Sequence, residues 1–372
     1  MTVPSLEGPA KHGHVPPPDD NNANSLGRHT TVWRIGYGAL AIAVVLAIFV
    51  SDAVVAKEAA SGAGPMADLL RQGSIVPIVT ATLFVIGALE MSRLSQRRGV
   101  HPHVWFACIM IAAMILAPWF SAAGWLGQGV NEVEGIYWQV VLLMVATMGA
   151  GVLTVVRYKP ARALRDMNAT LVMIVFLGFL GSFGVQLRCA RDTPAEDGAW
   201  LLLIVVLVTK ASDIGGYAIG SAFGRHKLTP AISPGKSIEG AVGGMLVSAL
   251  VAVGFATAGS AAMGLTSGGY PVDVLGPEKP AFSLLDEITR TLSLTQAHST
   301  LHPTARAFIL GIALSAAGQF GDLLESCFKR DAEVKDSGAV IPHFGGILDL
   351  LDSLVLAMPV GWFLLTAVWG VA

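Results

Sequence analysis

Lys329, Arg330 and Lys335 stand in a short polar stretch that leads into Gly345-Gly346 and then into Asp349 and Asp352. Ammonium and guanidinium groups bind phosphates, and paired carboxylates bind hard cations such as Mg²⁺. Three residues along a helix is a rotation of roughly 60° and a rise of about 4.5 Å, so Asp349 and Asp352 can share one metal or bridge two. Asp322, which closes GQFGD (Gly318–Asp322), adds a third carboxylate if its helix packs beside theirs. Acids at membrane depth are costly and mark functional paths. The competing role is capping, because Asp suits a helix's first turn. Glu325, one turn beyond Asp322, fits either a ligand or a solvated helix end. Gly345-Gly346 allow a ligand close to the backbone at the helix start, or form a simple turn.

A second constellation runs from Asp213 to Gly240. Asp213 lies inside an apolar block with Lys210 one turn before it, a spacing that also suits a structural ion pair. Gly216, Gly220 and Gly224 recur every fourth residue, a small-residue stripe for close helix packing, within the bundle or in a homodimer. The following loop holds Lys227 and then Ser233-Pro234-Gly235-Lys236-Ser237. GKS resembles the end of a P-loop, but Pro230 stands where that motif needs Gly, so this is not a Walker A sequence. Lys236, Ser233 and Ser237 still offer a charge and hydroxyls for a nucleotide phosphate beside a helix N-terminus, where the dipole favours anions. Arg225 and His226 read as ordinary loop charge, and His343 as a loop residue.

The elements that must position these groups are membrane helices. Of 372 residues, 53% are hydrophobic and only 13% charged, where soluble domains carry about a quarter charged residues. Nine apolar blocks, at about 33–54, 73–91, 104–124, 136–156, 168–187, 199–220, 238–260, 305–325 and 349–371, each approach the ~20 residues needed to cross a bilayer. Alternate loops and the N-terminal flank carry sixteen Lys and Arg (Lys11, Arg28, Arg34, then the clusters near 93–98, 157–165, 225–236 and 329–335) against seven on the other side. The positive-inside rule then places the N-terminus in the cytosol, the C-terminus outside, and both motif-bearing loops in the cytosol. The expectation is an all-α polytopic bundle of about nine transmembrane helices. Residues 1–30 read as a disordered cytosolic tail, 31–198 as N-terminal helices and 199–372 as the catalytic region. The long loop 259–302 includes a candidate interfacial helix, Leu284–Leu294. No cleavable signal peptide is evident, because the first apolar block begins beyond residue 30, and without an organelle-type leader the expectation is a bacterial inner membrane. A net charge of −2 without a basic run or aromatic platform gives no support for nucleic-acid binding. Cys108, Cys189 and Cys327 have neither zinc-site nor disulfide spacing.

Together the two constellations resemble the phosphatidate cytidylyltransferase (CDP-diacylglycerol synthase) family. The resemblance rests on Ser326, Phe328, Lys329-Arg330, Lys335-Asp336, Gly345-Gly346, Asp349 and Asp352. It extends upstream through Asp213, Tyr217, Lys227-Leu228, Ser233-Pro234, Lys236-Ser237 and Gly240, with GQFGD between. It spans roughly 200–372. Two positions depart from that family's pattern: Phe344 replaces the usual His before Gly-Gly, and Leu350 replaces the Arg after the first Asp.

The resemblance implies that CTP and phosphatidate react to give CDP-diacylglycerol and pyrophosphate, with Mg²⁺, alone or with a second monovalent or divalent cation. It implies metal binding by Asp322, Asp349 and Asp352, and places Lys236, Lys329, Arg330 and Lys335 on the triphosphate or the lipid phosphate. Asp213, Lys227, Ser233, Ser237, Gly345 and Gly346 complete the substrate site. Competing readings are a CTP-dependent polyprenol kinase, which needs a base (Asp213 or Asp336), a transporter using Lys210, Asp213 and Asp322 as relay groups, and a lipid-binding homologue without activity.

Overall fold

The computed structural model describes residues 40–126, 134–157, 162–189, 195–264, 303–334, 336–338 and 345–368. The expected tail, the Leu284–Leu294 helix, Lys335, His343 and Phe344 lie outside these residues. The chain divides into two units, Met1–Ala47 and Ile48–Ala372. Of the first, residues 40–47 are described; they are helical and mostly exposed. The rest of this account concerns the second.

Among the described residues nine helices are long and apolar enough to cross a membrane, as expected. In chain order they are α1 (Leu40–Ser61), α3 (Ile75–Arg97), α4 (Val104–Ala122), α5 (Ile136–Arg157), α6 (Ala163–Arg188), α7 (Gly198–Phe223), α8 (Ile238–Thr257), α9 (Thr304–Asp331) and α10 (Leu348–Thr366). A short helix, α2 (Pro65–Arg71), precedes α3, with proline at a first-turn position where its missing N–H costs nothing. A π-helical stretch at Ile174–Phe179 interrupts α6.

The fold is not purely helical. Lys227–Thr229 (β1) and Ser233–Ser237 (β2) pair antiparallel between α7 and α8, Lys227 opposite Ser237 and Thr229 opposite Ser233. The hairpin seats on α8 through Glu239, whose carboxylate accepts the backbone N–H groups of Arg225 and His226 and lies 2.6 Å from His226 Nδ1.

In the C-terminal half, α8 packs between α7 and α9, and α9 packs on α10. The glycine stripe serves this packing. A side chain at Gly216 or Gly220 would press on the backbone of Gly240, so α7 and α8 meet there backbone to backbone. Gly321 does the same for α9 and α10, lying against the Asp352 carbonyl. Helix α10 also touches α3 and α6, which joins the two halves of the chain.

At the end of the bundle where α1 and α6 finish, Asp52 and Arg188 form an ion pair of 2.7 Å with both side chains at 0% exposure. Asp52 Oδ1 accepts the N–H groups of Ile75 and Val76, which caps α3. This pair ties α1, α3 and α6 together. The charged residues singled out from the sequence gather at the opposite end, where α3, α7 and α9 finish.

Candidate active site

Helices α7, α9 and α10 each bring one aspartate to a common region. Asp213 comes from α7, Asp322 from α9 and Asp352 from α10; Lys210 stands between the first and the last, and Gly321, next to Asp322, lies against the Asp352 carbonyl. Two lysines balance them. Lys236 Nζ, carried in by β2, stands 2.6 Å from Asp322 Oδ2. Lys210 Nζ lies 3.1 Å from Asp213 Oδ2 and 4.0 Å from Asp352 Oδ1, and donates to Ser353 Oγ at 2.7 Å. Ser353 in turn donates to Asp213 Oδ2 at 3.1 Å. Lys210 and Asp213 are therefore more than a local pair on one helix; they tie α7 to α10.

Beside these groups a cleft of about 390 Å³ opens between α7, the hairpin, α8 and α9. Asp213, Asp322, Ser233, Lys236, Ser237 and Gln319 line it, together with Gly216, Gly220 and Gly240. Close glycine packing thus leaves a trough beneath a rim of opposite charges. Gln319 is fixed by hydrogen bonds to the Ala241 carbonyl and Ser315 Oγ.

Asp349 takes a different path from Asp352. Lys329 Nζ donates to its Oδ1 at 2.7 Å, and its Oδ2 accepts from Gly346 N (2.7 Å), Ser337 Oγ (2.9 Å) and Ser337 N (3.2 Å). Lys329 also pairs with Glu325 one turn earlier on α9, and Glu325 is fully buried. The three carboxylates Asp322, Asp349 and Asp352 belong to packed helices, as expected, but Asp349 is committed to the turn before α10. The acid that joins Asp322 and Asp352 is Asp213.

Other residues chosen from sequence also have structural partners. Arg330 is exposed, and its Nε donates to the Ile232 carbonyl at 3.0 Å, which holds the hairpin turn against α9. Ser237 is buried and accepts the Gly240 N–H at 3.1 Å, an N-cap for α8. Lys227 is exposed on β1, outside the lining of the cleft. Gly345 adopts a φ of +93°, a conformation that favours glycine, and a side chain there would meet Asp349.

Sequence reasoning missed Glu90. It lies on α3 at 0% exposure and accepts the N–H groups of Ile347 (3.1 Å) and Leu348 (2.8 Å). An acid inside the second apolar block was the signal that could have found it.

The fold and this arrangement define a polytopic membrane protein with carboxylates and lysines concentrated at one end of its bundle, beside a trough between helices. Residues 60–368 match the cytidylyltransferase family, and the chain belongs to that family. A phosphatidate cytidylyltransferase of Chlamydia pneumoniae is 28% identical over 306 residues, which cover 80% of this chain and 86% of the relative. One from Haemophilus influenzae is 34% identical over 220 residues (58% of this chain, 64% of the relative), and one from Mycobacterium bovis is 30% identical over 207 (56% and 53%).

Proposed function

We propose that the protein transfers the cytidylyl group of CTP to phosphatidate, giving CDP-diacylglycerol and pyrophosphate in phospholipid biosynthesis. Membership of the cytidylyltransferase family supports the reaction class, and the names of the relatives support the substrates. The observation that carries it to this chain is Lys236 at 2.6 Å from Asp322, at the rim of the trough between α7, α8 and α9. A phosphate-binding cation and a metal-binding acid stand together where a lipid and a nucleotide can meet.

A phosphatidate phosphate oxygen attacks the α-phosphorus of CTP, the bond from that phosphorus to the bridging oxygen breaks, and pyrophosphate leaves. The attacking oxygen is already anionic near neutral pH, so no base is required. The barrier lies in bringing two anions together and in the charge of the leaving group, and fixed cations lower both. Lys236 turns from Asp322 to the triphosphate, and Lys210 holds Asp213 and Ser353 in register across α7 and α10. Arg330 acts through the hairpin that carries Lys236.

Mg²⁺ fits this donor set. Asp213, Asp322 and Asp352 offer oxygen only, and two or three carboxylates with waters and substrate phosphates suit that ion. Among the described residues no group of three His, Cys, Asp or Glu stands close enough to hold a metal ion by itself, so these carboxylates would hold Mg²⁺ only together with waters and substrate phosphates. Bound there, Mg²⁺ supplies charge neutralisation for the transferring phosphoryl group.

The N-terminus is assigned to the cytosol and the C-terminus to the outside of the inner membrane, so that the site faces cytoplasmic CTP. The Lys and Arg asymmetry of the loops supports this orientation. The test is conversion of CTP and phosphatidate to CDP-diacylglycerol by the detergent-purified protein, with Mg²⁺ and with EDTA. Mg²⁺-dependent product is expected. Folded protein that makes no CDP-diacylglycerol from these substrates overturns the assignment.

A further inference from the structure

The Glu90 carboxylate is enclosed by the turn that precedes α10. Its Oε1 accepts Ile347 N–H at 3.1 Å, and its Oε2 accepts Leu348 N–H at 2.8 Å and lies 3.2 Å from Ser337 Oγ. That same Ser337 hydroxyl is 2.9 Å from Asp349 Oδ2. Side chains added at Gly338 or Gly346 would collide with Glu90, so the glycines around the carboxylate leave it just enough room. The first amides of a helix are unpaired within the helix and attract anions. Here Asp349 takes Gly346 N–H and Glu90 takes the next two, so the chain itself fills the end of α10 that a phosphate would otherwise seek.

The acid comes from far away in sequence. Glu90 lies on α3, and its amide partners are 257 and 258 residues later. A buried carboxylate is held to its hydrogen-bonding partners because it is costly without them, so these bonds fix the rotation of α10 about its axis. That rotation sets where Asp349 and Asp352 point, one toward Lys329 and the other toward Lys210 and Asp213.

We propose that Glu90 is a positioning residue for the reaction, through which α3 holds the start of α10 and aims both of its aspartates. The proposal deepens the cytidylyltransferase reading and rests on it. The paired glycines serve this internal anion in place of an external ligand. Glu90 does not touch substrate.

Glu90→Gln keeps the size of the side chain but replaces one acceptor oxygen with an NH₂ that cannot accept from Ile347 or Leu348. Expected is a fall in kcat of at least tenfold with KM for phosphatidate within twofold of wild type. Hydrogen exchange should accelerate at the amides of 346–348, while protection elsewhere in the bundle stays unchanged. Wild-type kcat in this variant, or loss of protection spread evenly over all helices, overturns the proposal. If Glu90→Gln does not fold, Ser337→Ala decides the matter. It should lower kcat in a folded protein with the same local exchange signature, and an unchanged kcat overturns the proposal. Absence of product from the wild type counts against the reaction assigned above, whereas the exchange contrast tests the hold of Glu90 on α10 independently of turnover.

Discussion

The bundle buries charge at both ends but treats it differently. At one end Asp52 and Arg188 face each other with no exposure, and Asp52 spends its remaining acceptor on two helix-start amides. At the other, Asp213, Asp322 and Asp352 share Lys210 and Lys236, and the lysines and Asp213 and Asp322 keep a quarter to a third of their side chains exposed. The first set is a fully buried ion pair with a helix cap that holds three helices together. The second consists of lysine–aspartate pairs that stay partly exposed beside a cleft. Burial alone does not separate structure from chemistry; residual access does.

Four single substitutions and one double variant break or sharpen that contrast. Arg188→Met strands a buried carboxylate, at a cost of about 3–5 kcal/mol. It should lower thermal stability in detergent while leaving turnover per folded molecule intact. Adding Asp52→Leu should recover only part of that loss, because Ile75 and Val76 lose their acceptor. Asp352→Asn should do the reverse, with kcat down roughly 10²–10³-fold, the scale of removing one electrostatic stabiliser of a transition state, and a melting temperature close to wild type. Lys236→Met should lower kcat/KM for CTP by roughly 10–100-fold, as expected for a lost charge-assisted hydrogen bond. Arg330→Ala should cost less than about tenfold, since it removes one exposed hydrogen bond to the hairpin. A loss as large as that of Lys236→Met would instead place Arg330 on a phosphate. Steady-state assays beside thermal unfolding check each of them.

The membrane spans were legible in the sequence because a bilayer imposes a length and a composition on every crossing. Their ends were not. Helix α9 was expected to stop at 325 and runs to Asp331, because Glu325 and Lys329 form an i,i+4 pair that carries the helix past its apolar block. Helix α3 likewise continues from 91 to Arg97 through residues that favour helix, Met91, Arg93, Leu94 and Gln96 among them. The strand pair was missed because Pro234 and Gly235 read as loop.

Within the site, residue types showed which chemistry was available, but direction is a tertiary property. Helical spacing placed Asp349 and Asp352 on neighbouring faces, while Lys329 and Ser337 take up the two carboxylate oxygens of Asp349. Glu90 stood out as an acid in an apolar block, but its role was hidden for a related reason. Its partners are main-chain amides, which no residue type announces.

With Lys236 resting on Asp322 and Lys210 on Asp213, the cleft supplies its own counterions. On the proposed mechanism, admission of a triphosphate would be an ion exchange: an ammonium group that swings to phosphate would uncover a carboxylate, and the uncovered carboxylate would be free to take a cation. Nucleotide and metal would then be co-ligands, each raising the apparent affinity for the other by the same factor. Either one alone would meet a site whose charges are already paired and gain little, so the proposal makes the site resemble a zwitterionic resin that loads with matched pairs.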